Sequence, residues 1–161
     1  MLTYILQASA VLKNVTGLQP VDTMAYPFDY KFIVKCTGCK TEHNNPVEMN
    51  RFDKFEITGF RREANFLFKC RECRRERYAT LTRLPNKIDQ DGCQTPILKI
   101  STHGIELLEF IPDDQFECQS SLSQRVIQEI GLEEGEWYDF DEEGNGDVGI
   151  HDVKWEIVLS R

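Results

Sequence analysis

Long hydrophobic runs are missing. No uninterrupted apolar stretch in the 161 residues approaches the roughly 20 needed to span a bilayer. The N-terminal segment MLTYILQASAVLKNV lacks a basic start, and Thr3, Gln7 and Ser9 interrupt its apolar residues, a strand pattern rather than a signal peptide. Histidine is scarce, and His43, His103 and His151 stand apart with no serine or cysteine in a nucleophile motif. There is no Gly-rich phosphate loop and no paired-carboxylate motif. Helical periodicity is nearly absent. Disorder is excluded because 44 of the 161 residues are Leu, Ile, Val or Phe. With no secretion signal, a reducing compartment is expected, so the six cysteines read as metal ligands or thiols rather than disulfides.

Charge is unevenly spread. Residues 31–99 carry 15 Lys/Arg against 9 Asp/Glu, whereas residues 100–161 carry 3 against 16. The net charge of −8 hides this contrast. Nucleic-acid affinity rests on cations that displace phosphate counterions, so the acidic half would repel a polyanion. Any such contact would be local to the cysteine-bearing half, and the balance argues against nucleic acid as the main partner.

What the chain does have is alternation. Leu2, Tyr4, Leu6, Ala8, Ala10 and Leu12 share one parity over a long first strand ending near Thr16-Gly17. Phe28, Tyr30, Phe32, Val34 and Cys36 repeat the pattern, as do Phe66, Phe68 and Cys70. Further strands are expected over 77–84, 96–101, 105–111, 136–140 and 151–159. One stretch reads as a helix: Ser121 with Gln124 resembles a capping box, and Leu122, Val126, Ile127 and Ile130 form an apolar stripe closed by Gly131. The expected fold is mostly β, a compact sandwich or barrel-like domain over 1–161 with long hairpins and at most one short helix. Two related halves would divide near residues 65 and 66. Segments 11–21 (VLKNVTGLQPV) and 100–112 (ISTHGIELLEFIP) echo each other weakly, each as strand, turn and return strand.

The strongest chemical signal is a repeat at 34-residue spacing, FIVKCTGCK (32–40) and FLFKCRECR (66–74). Each Cys-x-x-Cys turn can aim two sulfurs into one pocket, and two turns supply the four thiolates of a tetrahedral Zn²⁺ site. Cys36, Cys39, Cys70 and Cys73 are therefore the expected ligands of one structural zinc. Thiolates favour zinc over magnesium or calcium, and the spacing differs from familiar iron–sulfur patterns. The spacer exceeds that of a compact zinc ribbon and can hold a hairpin carrying Phe52, Phe55, Ile57 and Phe60, with Gly59 near its bend. Both turns would then hang from adjacent strands of one sheet. A loaded site carries a charge of −2, which Lys35, Lys40, Lys69, Arg71 and Arg74 would offset. His43 is the only replacement ligand nearby.

Other signals have blander counterparts. Cys118 or Cys93 would be the nucleophile if the chain were a thiol-dependent reductase of the kind that pairs such a zinc with a catalytic cysteine. Glu117 beside Cys118 opposes thiolate formation, however. The segment 141–152 mimics a calcium loop, yet its flanks alternate like strands, so an acidic hairpin turn is the better reading. Arg71–Arg77 with Phe66, Phe68 and Tyr78 could form a local RNA-binding module, although neutralising the zinc–thiolate charge explains the same residues.

With VLKNVTGLQPV near the start, KCTGC and KCREC in the middle, and WYDFDEE followed by VGIHDV near the end, the chain resembles the eukaryotic CXXC-motif-containing zinc-binding protein family. The resemblance implies a mostly β fold of two related halves, one zinc on Cys36, Cys39, Cys70 and Cys73, and no established catalytic activity. Together these readings predict a non-enzymatic, monomeric zinc protein of the cytoplasm, with the nucleus also compatible. It would act through a protein partner and not a membrane.

Overall fold

The computed structural model describes residues 1–160, and the described residues contain strands and turns but no helix. The alternation along the N-terminus builds β1 (Leu2–Lys13), which turns at Asn14 (φ +54°) into β2 (Val15–Pro20). There follow β3 (Tyr30–Cys36), β4 (Val47–Met49), the small hairpin β5 (Phe55–Glu56) and β6 (Glu63–Ala64), β7 (Phe66–Lys69) and β8 (Glu76–Arg83). The chain continues through β9 (Thr95–His103), β10 (Ile105–Ile111), β11 (Gln115–Ser120), β12 (Val126–Gly131), β13 (Trp137–Asp141) and β14 (Gly146–Ser160).

A six-stranded sheet in the order β13-β14-β1-β9-β8-β7 curls into a half-barrel. Two three-stranded sheets, β10-β3-β4 and β12-β11-β2, complete the fold with the β5-β6 hairpin. The alternation predicted for β3 is realised without interruption: Tyr30, Phe32, Val34 and Cys36 are all fully buried. Tyr30, Phe32 and Val34 join Leu6, Ala8, Ile97, Leu98, Ile100, Phe116 and Ile150 in one core. Aromatic rings link the layers, with Phe28 5.2 Å from Phe116 and Trp155 4.7 Å from Phe110. Each fully buried side chain of this size contributes about 1.5–3 kcal/mol, so this shared cluster is what holds the sheets together. A buried carboxylate, Asp22, ties the 21–29 loop to it by accepting from Tyr30 Oη (2.7 Å) and pairing with Arg51 Nε (3.0 Å).

The expected helix over 121–131 is a turn followed by β12. Ile127 and Ile130 both face the core, yet Glu129 between them adopts φ +61°. Across the ladder Phe116 faces Ile130 and Cys118 faces Ile127, so two residues of β12 oppose one of β11. This β-bulge lengthens the apolar spacing from two to three and makes a strand imitate a helix.

The two-halves expectation also changes its boundary. The strand series β1-β2-β3-β4-β7-β8 repeats as β9-β10-β11-β12-β13-β14. Each half lends strands to the other: β2 pairs with β11, β10 pairs with β3, and β1 and β9 lie side by side. The division of this strand series falls between β8 and β9. The weak echo between 11–21 and 100–112 is the corner at Asn14 matched by the corner at Gly104.

Candidate metal centre

Each Cys-x-x-Cys segment closes the end of a strand. After β3, the Cys36 N–H donates to the Thr41 carbonyl and the Lys40 N–H to the Cys36 carbonyl, both 2.9 Å, with Lys40 at φ +64°. After β7, the Cys70 N–H donates to Arg75 and the Arg74 N–H to Cys70, again at 2.9 Å, with Arg74 at φ +61°. The two turns face each other. All four sulfurs lie within 4.8 Å of one another, and the Cys36–Cys73 and Cys39–Cys70 sulfurs are both 3.7 Å apart. A tetrahedron with Zn–S bonds of about 2.3 Å has sulfur edges of about 3.8 Å. A disulfide needs about 2.05 Å, so the spacing fits a shared metal and not bridges.

The turns do not hang from adjacent strands of one sheet. β3 is the middle strand of a three-stranded sheet, whereas β7 is the edge of the six-stranded sheet. An ion held between them would cross-link two sheets. The spacer does contain the expected hairpin, β5-β6, with Gly59 at its bend in a left-handed conformation (φ +82°).

Ionisation is favoured at Cys36 and Cys39 and opposed at Cys70. Burial works against the Cys36 thiolate, but the Cys39 N–H, the Arg77 guanidinium and the Gly38 N–H hold its thiol down at about 6. The Thr41 hydroxyl and N–H lower that of Cys39. Cys70 is raised: the Cys73 N–H favours its thiolate, yet burial and the neighbouring Cys39 and Cys73 sulfurs outweigh it. A divalent ion removes that conflict.

The cationic support comes from a residue that the flanking-charge reading passed over. Arg77 on β8 is buried, and its Nη2 lies 4.0 Å from Cys73 Sγ. It threads between Gly38 and Gly104, where a Cβ would stand 2.3 Å from its side-chain atoms in either case. The sequence signal was two glycines beside a buried cation, legible only once the chain is folded. His43, the candidate replacement ligand, lies beside the four-sulfur group and not in it: its Nε2 is 3.7 Å from Cys70 Sγ, and its ring meets Phe68 edge-on.

The remaining candidates lie elsewhere. Cys118 is 2% exposed, and burial, with Glu117 second, pushes its thiol up to about 12, the opposite of an activated nucleophile. Cys93 is exposed and lies 3.6 Å from the Gln90 side-chain oxygen. Of the residues that could face RNA, Arg77 is buried and Tyr78 is half-buried and stacked on His103, whereas Arg71, Arg74 and Arg75 are exposed. Asp141, first residue of the calcium-like segment, faces inward and accepts from Ser120 Oγ (2.5 Å) and Ser123 Oγ (2.6 Å). Residues 142–145 form the tight turn between β13 and β14, and 146–152 are the first residues of β14.

These two serines, Ser120 first, hold the Asp141 carboxyl below its ordinary range. A carboxyl depressed by folding contributes stability above its unfolded pKa and loses it as the pH falls through the folded value. An Asp141→Asn variant should therefore show a shallower loss of stability below about pH 4 than the parent protein in matched acid titrations of thermal unfolding. Parallel acid limbs would show that Asp141 is not the group responsible.

Among known families, the one described as "CXXC motif containing zinc binding protein, eukaryotic" matches residues 5–158. The chain belongs to this eukaryotic CXXC-motif zinc-binding family. Within the family, a UPF0587 protein from Schizosaccharomyces pombe is 33% identical over 96% of this chain and 96% of its own. The human CXXC motif containing zinc binding protein is 28% identical over 95% of this chain and 96% of its own. The crystal structure of C1orf123 superposes with a TM-score of 0.87 at 26% identity, covering 98% of this chain and 99% of the other. The family resemblance and the mostly β fold thus stand as expected. As a member of a zinc-binding family, the chain brings four cysteines together in a geometry that suits zinc.

Proposed function

We propose that the protein is a non-enzymatic zinc protein in which Cys36, Cys39, Cys70 and Cys73 hold one structural Zn²⁺ that pins two sheets together. The single observation that carries this reading is the convergence of four sulfurs at zinc–thiolate spacing. Four sulfur donors fill a tetrahedral site and leave no position for substrate or activated water. The buried Arg77 and the N–H groups directed at sulfur are the surroundings of a stable, closed site. Free thiols support a reducing compartment, the cytoplasm with the nucleus also compatible.

The protein acts through a protein partner. Glu133, Glu134, Glu136, Asp139, Glu142 and Glu143 are exposed around β13, and such a field favours a basic protein surface. Elemental analysis with thiol counting tests the zinc assignment: one zinc per chain is expected, with all six cysteines titrating after denaturation and chelation. Iron, or missing thiols, would refute it. Alkylation under native conditions tests the absence of a catalytic thiol. Slow modification of Cys93 and none of Cys118 is expected; rapid labelling of either at neutral pH would favour the reductase reading instead.

A further inference from the structure

The swapped halves place a second turn pair in the position that mirrors the four-cysteine cage. β11 corresponds to β3, and β13 corresponds to β7. After β11 the Ser120 N–H donates to the Arg125 carbonyl (2.8 Å) and the Gln124 N–H to the Ser120 carbonyl (2.9 Å), with Gln124 at φ +65°. This reproduces, bond for bond, the turns at Cys36 and Cys70. Ser120 and Ser123 stand at the first and fourth positions, where those turns carry cysteine. After β13, Asp141 and Gly144 occupy the same two positions, and Asn145 takes the left-handed place (φ +51°) of Arg74. Docking repeats too: the Thr37 N–H donates to Gly104 at one corner (3.0 Å), and the Ser121 N–H donates to Asn14 at the other (2.9 Å).

The chemistry of the second cage is that of the first with its metal replaced. Asp141 reaches across to both serine hydroxyls of the opposite turn. Its other oxygen is buried without a hydrogen bond and lies 3.8 Å from Arg125 Nε. The space taken by Cys73 in the first cage is filled here by Leu122, because a Cβ on Gly144 would stand 2.4 Å from the Leu122 Cβ. In the first cage the residue matching Leu122 is Gly38. A leucine–glycine pair has thus exchanged places with a glycine–cysteine pair.

We infer that the second half carries a metal-free counterpart of the four-cysteine cage, in which the Asp141 carboxylate links the turns after β11 and β13, and that this cage accepts a zinc-class divalent ion once sulfur donors are restored. The carboxylate takes over the cross-linking role with hydrogen bonds that stay inside the chain. This goes beyond the zinc proposed for the first half and depends on that reading only for the comparison of the two cages.

The test is a variant combining Ser120→Cys, Leu122→Gly, Ser123→Cys, Asp141→Cys and Gly144→Cys, titrated with Co²⁺ alone and followed by its thiolate charge-transfer band. Its capacity should be twice that of the unsubstituted protein. A folded variant with unchanged capacity would overturn the restored-site claim. Failure of the unsubstituted protein to bind any Co²⁺ would count against the first cage instead, so the two failures are distinguishable. Should the variant not fold, hydrogen exchange on zinc-loaded Asp141→Asn decides. Faster exchange is expected in turns 121–124 and 142–145, with 37–40 and 71–74 unchanged and zinc retained. Unchanged exchange in 121–124 would overturn the claim that the carboxylate joins the two turns.

Discussion

A Cys70→Ser variant is expected to lose its zinc and to unfold about 10–20 °C below the parent protein. Cys70 is 1% exposed and lies opposite Cys39, so a serine there removes a soft donor and leaves three sulfurs around a defective site. Structural zinc in peptides that have no other core is worth about 10–16 kcal/mol. Here a shared core of Phe, Ile and Leu side chains persists without the metal, so only part of that figure appears as lost stability. A loss of about 5 kcal/mol at about 2–4 °C per kcal/mol gives the expected shift. The damage should be local. The β3 and β7 ends ought to lose protection from hydrogen exchange, while β1 and β14, paired along most of their length, keep it. Thermal scans with metal analysis on the same sample check this. Full zinc content with an unchanged midpoint would refute a structural role for the site.

Arg77→Met should weaken zinc binding by about 10–100-fold, measured by competition with a chromophoric chelator, and lower stability by about 3–5 kcal/mol. Methionine is of similar length and apolar, so it removes the charge while filling much of the channel between Gly38 and Gly104. The zinc–thiolate cluster would then keep its negative charge with only exposed, water-screened cations beside it. Burial itself disfavours the guanidinium, yet the Cys36 and Cys73 sulfurs raise its pKa, so the cation and the sulfurs are mutually stabilising. Replacing Lys40 or Arg71 by Met should do far less, since exposed charges near the site are screened by water. Equal effects from buried and exposed positions would show that general electrostatics, and not the seat of Arg77, governs the site.

Much of this architecture is legible in the residues. Period-two alternation located β1, β3, β8, β9, β10 and most of β14, because each turns one face toward the shared core; β13 alternates too, although only Trp137 of its apolar residues packs against that core. The paired KCxxC segments located the four converging sulfurs, because two such turns supply the four thiolates of a tetrahedral site. β4, β5 and β6 carry too few residues to show a period. β12 was disguised by its bulge at Glu129, where one inserted residue turned a strand's spacing into a helix's. Arg77 was hidden inside a run of basic residues that look alike in sequence and differ only in burial. The second cage left almost no trace, because Ser120, Ser123, Asp141 and Gly144 have no ligand signature and matter only through the strand exchange between halves. The sheet assignment of the cysteine turns failed for a related reason. β3 sits between β10 and β4 in one sheet, whereas β7 pairs only with β8 at the edge of another, so the strand exchange between halves puts the two turns on different sheets.

X-ray absorption at the zinc edge of the protein purified with its metal addresses the central claim most directly. Four sulfur neighbours at about 2.3 Å, with no oxygen or nitrogen in the shell and one zinc per chain, are predicted. A shell containing imidazole nitrogen or water, or fewer than four sulfurs, would contradict a closed cysteine site that locks the two sheets.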